Sequence, residues 1–539
     1  MTARDEALRR LRGIHHPHTP VARALAQQGV AFAAVGGPLH ERWQTAVAEL
    51  EQCVWRVDAA PPAVLSEGGV YAGSWLESTG TISAEVLTRF APALARETLV
   101  QFARHQRADG LLPYKVTADG PAFTQIQTVT PLARSVWNHY LLTGRDEAFL
   151  GEMSAAMSRN DAWLAAHRDT RGAGAVEAFC TFDTGHDLSP RFWFVPDRCY
   201  HGDAARYDPA APLLPYIAPD LTANVACQRR YLAHIARESG EPGELWEQRA
   251  DAAEAALWRE CHDEPTGLFF DRDGAGGQVR IASDVLLRVL ACEIGDDAFF
   301  TAALERHLMN TRAFLSHYGF TSLAMDDPRF DHDFRRNSWG GPVNMLTMIR
   351  APHAFEHHGR VAELALATQP VLAALAVADR FAQCLDPWSG EAGFTEAYSP
   401  ALLFFLDAIE RSCGILPRPD GAVWFTGLAP TRLAHGAAEA SAYARSIDDA
   451  HWELAADDES VQVLRAGAEV LRFPRGWRVE TDRVGTVRGV VCVDAAPVAG
   501  ALITPDGEVA LTLEPNERVA IEGARPGTRT RIGFVPPQF

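Results

Sequence analysis

Long hydrophobic runs are missing from this sequence of 539 residues. The first residues, MTARDEALRRLRGIHHPH, lack the apolar core of about 7–15 residues that a secretory signal needs. No later run reaches the roughly 18 uncharged apolar residues that cross a bilayer. We therefore expect a soluble protein that stays in the cytoplasm.

Basic residues are scarce relative to acidic ones. Lysine and arginine total 50, aspartate and glutamate total 69, and the formal net charge is −19. A chain of this charge is repelled by phosphate backbones and by anionic lipid surfaces. The composition argues against a nucleic-acid or membrane partner.

Motifs for disulfides, metals and nucleotides are also missing. The nine cysteines are scattered singly, with no C-x-x-C and an odd total, which favours buried reduced thiols over a disulfide framework or a structural zinc site. His353 and His357 have a zinc-binding spacing, but no third ligand is evident, and a polar helix end explains them better. No Walker loop, G-x-G-x-x-G after a strand or G-x-S-x-G is present. We predict no metal and no cofactor.

Helical periodicity dominates the middle of the chain. Apolar residues at three- and four-residue spacing predict about eleven helices, near 39–52, 85–108, 130–143, 148–168, 219–238, 243–261, 280–292, 297–309, 342–359, 361–379 and 399–412. The helices could form an α-solenoid or a closed α/α toroid. No repeat of about 34–47 residues is found, and the long loops 169–218 and 310–341 suit a toroid whose loops build a pocket.

The last part of the chain has a different pattern. After residue 416, short β-branched segments alternate with Gly, Pro and Asp, which predicts a small antiparallel β domain. We divide the chain into an N-terminal segment of uncertain fold at 1–80, partly joined to the barrel, a helical catalytic domain at 81–415 and a β-sandwich-like domain at 416–539.

The loop from Phe182 to Trp193 concentrates reactive side chains. It contains two carboxylates, Asp183 and Asp187, together with Arg191, between Gly and Pro residues that keep the chain out of regular structure. Side chains in such a loop can converge on a ligand. The alternative is that both aspartates only cap turns.

Two further loops hold candidate residues. Trp339 precedes a Gly-Gly-Pro turn, where it could stack on a sugar face or serve as a buried anchor of the loop. The stretch from Asp386 to Pro400 adds the carboxylates of Glu391 and Glu396 shortly before the last predicted helix.

Several motifs in a fixed order resemble glycoside hydrolase family 63, most closely its mannosylglycerate hydrolase group and more distantly the trehalases. The motifs run from QIQTVTP at 125–131 through LLTGRD at 141–146 and DTGHDLSPR at 183–191 to WGGPV at 339–343. The resemblance covers about residues 70–412. It implies an all-α (α/α)6 toroid catalytic domain of the six-hairpin glycosidase type, followed here by the small C-terminal antiparallel β domain. It also implies hydrolysis of an α-glycosidic bond with inversion of the anomeric centre.

The resemblance assigns the general acid to Asp187 and puts Asp183 where the family has a Glu. The family's sugar-pocket loop W-R-G-P-V-W reads W-G-G-P-V-N here, with Gly340 for the Arg and Asn344 for the second Trp. The sugar subsite is therefore expected to be remodelled.

The general base has two possible positions. Aligned on D-P-W-S-G, the family's base falls on Gln383, and a neutral amide cannot take a proton from water. Aligned on E-A-Y-S-P, it falls on Glu396, with Glu391 as a weaker candidate. If neither glutamate is the base, the site runs a different reaction or binds sugar without cleaving it.

The chemistry of inversion sets conditions on these residues. One carboxylic acid must stay protonated while a second carboxylate activates water, at a separation of roughly 6.5–9.5 Å. Burial or a like-charged neighbour such as Asp183 would keep Asp187 protonated. We expect Arg191 to point away from Asp187, toward Asp183.

The remaining pocket residues are predicted from their types and positions. The predicted substrate-binding set is Trp75, Gln127, Asp183, Arg191, Trp339, Gly341 and Glu391. Lys115 could reach a carboxylated aglycone. The sequence thus predicts an inverting glycoside hydrolase for a small carbohydrate. An isomerase or lyase on the same toroid and a non-catalytic carbohydrate-binding protein are the alternatives, and the oligomeric state stays open.

Overall fold

A computed structural model describes residues 2–56, 62–428 and 438–539. Helices dominate the part between residues 84 and 413, and antiparallel strands dominate the part after residue 414. The α-helices of the described residues are α1 (Ala3–Arg12), α2 (Pro20–Gln27), α3 (Leu39–Gln52), α4 (Ala84–Leu87), α5 (Pro92–Arg104), α6 (Leu132–Leu142), α7 (Glu147–His167), α8 (Pro219–Glu238), α9 (Glu244–Cys261), α10 (Val285–Leu290), α11 (Asp297–Ala303), α12 (Met345–His357), α13 (Val361–Val377) and α14 (Ser399–Cys413).

Helices pack both on the next helix in the sequence and on helices further away in the sequence. Helix α8 packs on both α6 and α9, and α14 packs on α12 and α13. Nearly all of α14 is buried, which places this helix inside the helical domain. In the ranges that the structure describes, no helix has the length and apolar character needed to cross a membrane.

Two of the predicted helices differ from the observed ones. The helix expected at 85–108 is broken into α4 and α5, because Pro92 has no N–H for the helical ladder and the residue before it, Ala91, is not helical, with φ −143°. The helix expected at 280–292 begins only at Val285, since a strand, Gln278–Val279, precedes it.

The predicted antiparallel β structure after residue 416 is confirmed. One sheet has six strands in the order Ile415–Pro417, Ala422–Thr426, Trp477–Asp482, Val487–Cys492, Arg518–Glu522 and Arg525–Thr530. The other has seven strands in the order Ala31–Val35, Ala440–Ile447, Ala450–Ala456, Ser460–Arg465, Ala468–Pro474, Val498–Thr504 and Gly507–Leu513.

The N-terminal segment contributes to both parts of the molecule. Its strand Ala31–Val35 pairs antiparallel with Ala440–Ile447, so that Ala31 faces Ala444, and α1 packs against both strands. Further along, Val54–Arg56 pairs with Ala63–Leu65, which packs on α5. The first strand therefore belongs to the C-terminal sheet, and the hairpin belongs to the helical domain.

The β domain is joined to the helical domain by buried polar contacts. The Tyr443 hydroxyl donates to Glu410 Oε1 of α14 at 2.9 Å, and Arg445 donates both to the same carboxylate and to the backbone oxygen of Arg89. All of these side chains are buried. The two domains share one continuous apolar core.

Short strands in the loops of the helical domain bring distant segments together. Ser74–Trp75 pairs with Lys115–Thr117, and Val343–Asn344 pairs with Cys384–Leu385. The other short strands are Gly120–Ala122, Glu177–Ala178, Tyr216–Ile217, His262–Asp263, Leu268–Phe269, Asp271–Arg272, Gln278–Val279, Leu315–Ser316 and Gly319–Phe320. These pairings place Trp75 beside Lys115 and the loop before residue 344 beside Gln383.

Candidate active site

The loop that carries Asp187 is anchored at one end by Asp183. The carboxylate of Asp183 accepts two hydrogen bonds from Arg168, at 2.6 and 3.1 Å, and one each from the backbone N–H groups of Phe179 and Ile126. Both charged side chains are fully buried. Asp183 was predicted to contact a ligand, but its oxygens are occupied by protein donors, so its role here is to hold the loop.

The other end of the loop is anchored by Arg191. Its guanidinium donates to Asp271 at 2.7 and 2.8 Å and to Asp220 at 2.9 and 3.0 Å. The prediction that Arg191 pairs with Asp183 is wrong. Arg191 is only 2% exposed, and its donors face the protein interior rather than an open pocket.

Asp187 lies between these two anchors and is partly exposed. Its backbone oxygen accepts the N–H of Trp339 at 3.0 Å, and its Oδ2 accepts the side-chain amide of Asn337 at 2.5 Å. The next residue, Leu188, has φ +59° and is 53% exposed. A branched side chain in the left-handed region is strained, which shows that the surrounding contacts dictate the backbone here.

The Asp187 carboxyl is held in its protonated form near neutral pH. Burial raises its pKa to about 8, and the negative charge of Glu77 adds to the shift, while the hydrogen bond from Asn337 opposes it. Glu77 is itself buried, which raises its pKa to about 7 against the opposing charges of Arg288 and Arg350. Two carboxyl groups with shifted pKa values therefore share one site.

Glu77 lies under the backbone of the Asp187 loop. A Cβ at Gly185 would come within 1.9 Å of Glu77 Oε2, so only glycine fits there, and its φ of +64° also favours glycine. The other oxygen, Oε1, lies 3.8 Å from Arg288 and has no hydrogen-bond partner among the described residues.

A line of hydrogen bonds leads away from Asp187. Asn337 donates Nδ2 to Asp187 and accepts at Oδ1 from Gln383 Nε2 at 3.0 Å. Gln383 in turn accepts at Oε1 from the Tyr71 hydroxyl at 2.8 Å. Gln383, which the resemblance aligned with the base, is thus two hydrogen bonds from the predicted acid.

Trp339 is a buried anchor. It is 1% exposed, with the Arg288 guanidinium 4.6 Å above its ring and the His186 ring 4.6 Å away. This burial supports the alternative that Trp339 packs the loop over the prediction that it stacks on a sugar. Gly341, two residues after Trp339, is also structural, since a Cβ there would lie 2.6 Å from the backbone oxygen of Asp331.

Aromatic rings surround the Tyr71 end of the line. The ring of Tyr71 lies 5.4 Å from Trp75, 6.0 Å from Tyr398 and 6.3 Å from Phe394. Trp75, predicted to bind the ligand, is half-buried at this wall, and the Lys115 ammonium lies 5.3 Å from its ring.

Gln127, also predicted to bind the ligand, has an unsatisfied side chain. It is 6% exposed with φ +45°, and its Oε1 has no partner among the described residues. A buried amide oxygen without a partner is costly, so it is suited to accept from a ligand hydroxyl.

The two glutamates of the last loop have exposed side chains. Glu396 is exposed, and its electrostatic neighbours are Glu49 and Arg380. Glu391 is exposed and forms an ion pair with Arg335 at 3.6 Å. In the described ranges, neither glutamate is hydrogen-bonded to Asp187, Asn337 or Gln383.

Sequence reasoning missed Asn337, Glu77 and Tyr71 as parts of the site. Asn337 stands two residues before Trp339, and Tyr71 and Glu77 flank Trp75. The signal available in the sequence was that these three residues stand close to Trp75 and Trp339, which had already been selected as candidates. Only the fold shows that these side chains converge.

One group of described residues has the spacing of a metal site, formed by Cys180, Asp183 and Cys199. Arg168 donates two hydrogen bonds to Asp183 and lies 3.6 Å from Cys199 Sγ. Its guanidinium occupies the place of a cation, so the group fits an ion pair rather than a metal.

A cavity of about 390 Å³ opens in the helical domain away from Asp187. Its walls include Glu85, Arg134, His353 and Glu356. Glu85 pairs with His353 at 3.0 Å, and Glu356 is bonded by two arginines. His353, which had a zinc-like spacing, therefore lies against the carboxylate of Glu85.

The pKa of Asp187 predicts an effect on stability. The carboxyl has a pKa of about 8 in the folded protein and about 3.8 in the unfolded chain. Between these values the unfolded state loses its proton first, so native stability falls as pH rises. Asparagine has no ionisable proton, so Asp187→Asn removes this fall in native stability. The variant should have a Tm about 2–5 °C higher than wild type at pH 8.

The comparison requires thermal unfolding at two pH values. The advantage should disappear below about pH 3, where both states of wild type carry the proton. Asp506→Asn, at an exposed position of the β domain, is the control and should show no such pH dependence. An equal Tm difference at both pH values would contradict the raised pKa.

Solved structures of other proteins have a fold similar to that of this chain. Among solved structures, a family 63 mannosylglycerate hydrolase from Thermus thermophilus in complex with Tris aligns with a TM-score of 0.57 at 20% identity, covering 68% of this chain and 99% of that one. A family 78 rhamnosidase of Bacillus sp. GL1 gives 0.51 at 12% identity, covering 79% and 40%. Neutral trehalase from Saccharomyces cerevisiae gives 0.50 at 13% identity, covering 65% and 73%.

The family comparison is more specific than the likeness of folds. No curated protein matches the sequence. The family model described as the mannosylglycerate hydrolase MGH1-like glycoside hydrolase domain matches residues 71–400, a range that begins at Tyr71 and contains Asp187, Asn337 and Gln383. Since this match spans more than half of the chain, the protein belongs to the MGH1-like glycoside hydrolase family.

Proposed function

We propose that this glycoside hydrolase cleaves an α-glycosidic bond of a small glycoside or oligosaccharide with inversion, on a helical domain closed into an (α/α)6 toroid. Asp187 is the general acid. The observation that carries the proposal is a partly exposed carboxyl with a pKa of about 8, on a loop fixed at both ends by buried ion pairs.

A general acid must hold its proton at the working pH and still be able to give it up. A pKa of about 8 keeps Asp187 mostly protonated at neutral pH. Because the loop is anchored at Asp183 and Arg191, the carboxyl can be held against the leaving oxygen without ordering the chain during the reaction.

The walls of the site suit a sugar. The rings of Tyr71 and Trp75 offer apolar faces beside polar edges, as sugar stacking requires. Gln127 offers an unpartnered amide oxygen to a sugar hydroxyl. These contacts support a carbohydrate substrate and leave its identity open.

Lys115 is the feature that favours an anionic aglycone. It is the single lysine of the chain, and no carboxylate lies within ion-pair distance of it in the described ranges. Its ammonium lies over the ring of Trp75, at the wall of the site. One structure of the Thermus mannosylglycerate hydrolase contains D-glycerate, a carboxylate. We extend this proposal to a carboxylated aglycone held by Lys115.

The products test the proposed reaction. Wild-type protein should release the free sugar from α-mannosyl or α-glucosyl glycerate or from the p-nitrophenyl α-glycosides, with the β-anomer appearing first in ¹H NMR spectra. Asp187→Asn should lower kcat for the glycosyl glycerates by about 10²–10⁴-fold, because an alkoxide leaving oxygen needs a proton donor, and should affect the p-nitrophenyl glycosides much less. The α-anomer first would contradict inversion. A rearranged or unsaturated sugar would favour an isomerase or lyase, and binding without turnover would favour a sugar-binding protein.

The same assay decides the predicted role of Glu396. Glu396 is the proposed base, since inversion needs a second carboxylate and its exposed side chain has no ion pair among the described residues, so Glu396→Gln is expected to lower kcat by more than about 100-fold. Glu391→Gln is the matched control on the same loop. A selective loss of more than about 100-fold in Glu396→Gln would establish Glu396 as the base.

The pH dependence of kcat should reflect Asp187. Activity should fall as pH rises through about 8, where the acid loses its proton. Glu77→Gln removes a neighbouring negative charge, which lowers the pKa of Asp187 and moves this basic limb to lower pH by roughly 0.5–1 unit. Glu391→Gln should leave the limb in place. An unmoved limb in Glu77→Gln would exclude the electrostatic coupling.

Substrate charge tests Lys115. Lys115→Ala should raise KM about 10-fold for an α-glycosyl glycerate and leave KM for the neutral p-nitrophenyl glycoside unchanged, since a charge-assisted hydrogen bond contributes roughly 1.5–3 kcal/mol. Lys115→Arg keeps the charge and should preserve most of the preference. Equal changes for both substrates would show that Lys115 only supports Trp75.

A further inference from the structure

Large aromatic side chains that stay exposed gather on the loops around Asp187. Among the described residues, four Trp or Phe side chains are exposed, and one of them is the last residue, Phe539. The other three are Trp193 at 55% exposed, Phe194 at 77% and Trp388 at 50%. Single exposed apolar residues are common on protein surfaces, whereas a cluster of them marks a binding surface.

The loop after Asp187 carries the first part of this surface. Trp193 Nε1 donates to the backbone oxygen of Leu188 at 3.4 Å, so the indole lies beside the residue that follows the acid. A general acid contacts the leaving oxygen of a glycoside. The leaving group of the substrate therefore lies against the exposed neighbours of Asp187, which are Leu188 and Trp193.

The loop after Asp386 carries the second part. The ring of Trp388 lies 4.8 Å from the ring of His332 and 5.8 Å from the ring of Phe330, both near perpendicular. The Asp386 carboxylate accepts from the backbone N–H of Trp388 at 2.9 Å and from His332 Nδ1 at 3.0 Å. One carboxylate thus fixes the turn that bears Trp388 and the ring beside it, while half of the indole stays exposed.

The backbone at Gly340 connects the two parts. A Cβ at Gly340 would lie 3.8 Å from the backbone oxygens of both Leu188 and Asp331, and the Asp331 N–H donates to the Gly340 oxygen at 2.8 Å. Asp331 stands between Phe330 and His332 in the sequence. Trp193 is therefore close to Asp187, and the rings around Trp388 lie one loop further out.

We propose that these exposed rings bind the leaving group of an oligosaccharide, and we name them the outer platform, which consists of Trp193, Phe194, Phe330 and Trp388. The first sugar of the leaving group lies against Trp193, and the next sugar lies against Trp388. This inference rests on the proposed hydrolysis and selects oligosaccharides from its substrates.

Polar side chains border the outer platform, as a sugar ligand requires. Arg335 and Glu391 form an exposed ion pair at 3.6 Å, and His332 lies against the Trp388 ring. A sugar offers C–H groups to an aromatic ring and hydroxyl groups to polar side chains around it. Both signs of charge are present at this border, which favours a neutral ligand over an ion.

Kinetics with sugars of two lengths test the outer platform. The probes are maltose and maltotriose, and α-1,2-mannobiose and α-1,2-mannotriose. Trp388→Ala should raise KM for the cleaved trisaccharide about 10-fold more than KM for its disaccharide, because only the longer leaving group reaches this ring. Trp388→Phe keeps an aromatic ring and should keep most of the preference for length.

Leu245→Ala is the matched control, since Leu245 is 57% exposed on α9. It should change KM for neither sugar. Equal changes of KM for both lengths in Trp388→Ala would overturn the outer platform. Thermal unfolding of each variant shows whether the fold is intact.

A binding measurement separates the outer platform from the proposed hydrolysis. In Asp187→Asn, isothermal titration should give a Kd about 10-fold lower for the trisaccharide than for the disaccharide, and adding Trp388→Ala should remove this difference. Equal Kd values in Asp187→Asn would overturn the platform even if wild-type protein cleaves glycosyl glycerates. The predicted preference in binding, without sugar release by wild-type protein, would support the platform and overturn hydrolysis.

The other possible occupant of this surface is a second copy of the chain. Sedimentation of wild-type protein and Trp388→Ala decides between the two. A monomer in both cases agrees with a sugar-binding surface. A wild-type dimer that dissociates in Trp388→Ala would assign the exposed rings to a contact between copies and overturn the proposal.

Discussion

The ion pairs buried beneath the loop 183–191 determine where the acid sits. Asp183 is bonded to Arg168 at one end, and Arg191 is bonded to Asp220 and Asp271 at the other. Pairs of this kind add little net stability, because taking charges out of water costs about as much as their attraction returns. Removing one partner is different, since it leaves an unpaired buried charge at a cost of about 3–5 kcal/mol. The pairs act here as fixed points, four residues to either side of Asp187.

Two neighbouring carboxyl groups, those of Asp187 and Glu77, have raised pKa values. Burial raises the pKa of both Asp187 and Glu77, the charge of Glu77 raises the pKa of Asp187 further, and Arg288 and Arg350 limit the shift of Glu77. Several buried polar atoms close by have no partner among the described residues, including Oε1 of Glu77 and both terminal nitrogens of Arg350. Each such atom costs about 1–3 kcal/mol. Costs of this kind are tolerated where a ligand or water completes the bonding.

Features that depend on residues close together in the chain could be predicted from the sequence. Periodic apolar spacing located most of the helices, and Pro92 explains the one that breaks. Asp187 stood out because carboxylates, glycine and proline cluster in its loop. The partner of Arg191 could not be predicted, because Asp220 and Asp271 are far away in sequence and no local pattern connects them.

The convergence of Tyr71, Gln383 and Asn337 on Asp187 had no sequence signal either. Their segments meet because Val343–Asn344 pairs with Cys384–Leu385 and because the ring of Tyr71 packs on Phe394 and Tyr398. Strand pairs of two residues are too short to be recognised from alternation. The roles of the residues inside a motif therefore depended on which loops the fold brought together.

The strand Ala31–Val35 has a consequence for how the protein is made. It is synthesised before the helical domain, and its partner Ala440–Ile447 follows about 400 residues later, which at about 5–20 residues per second is a delay of at least ~20 s. During that time the strand has an open hydrogen-bonding edge, a template for unwanted pairing. The helical domain is thus inserted between two parts of one sheet, and the last strands can close that sheet only after the helices have been synthesised.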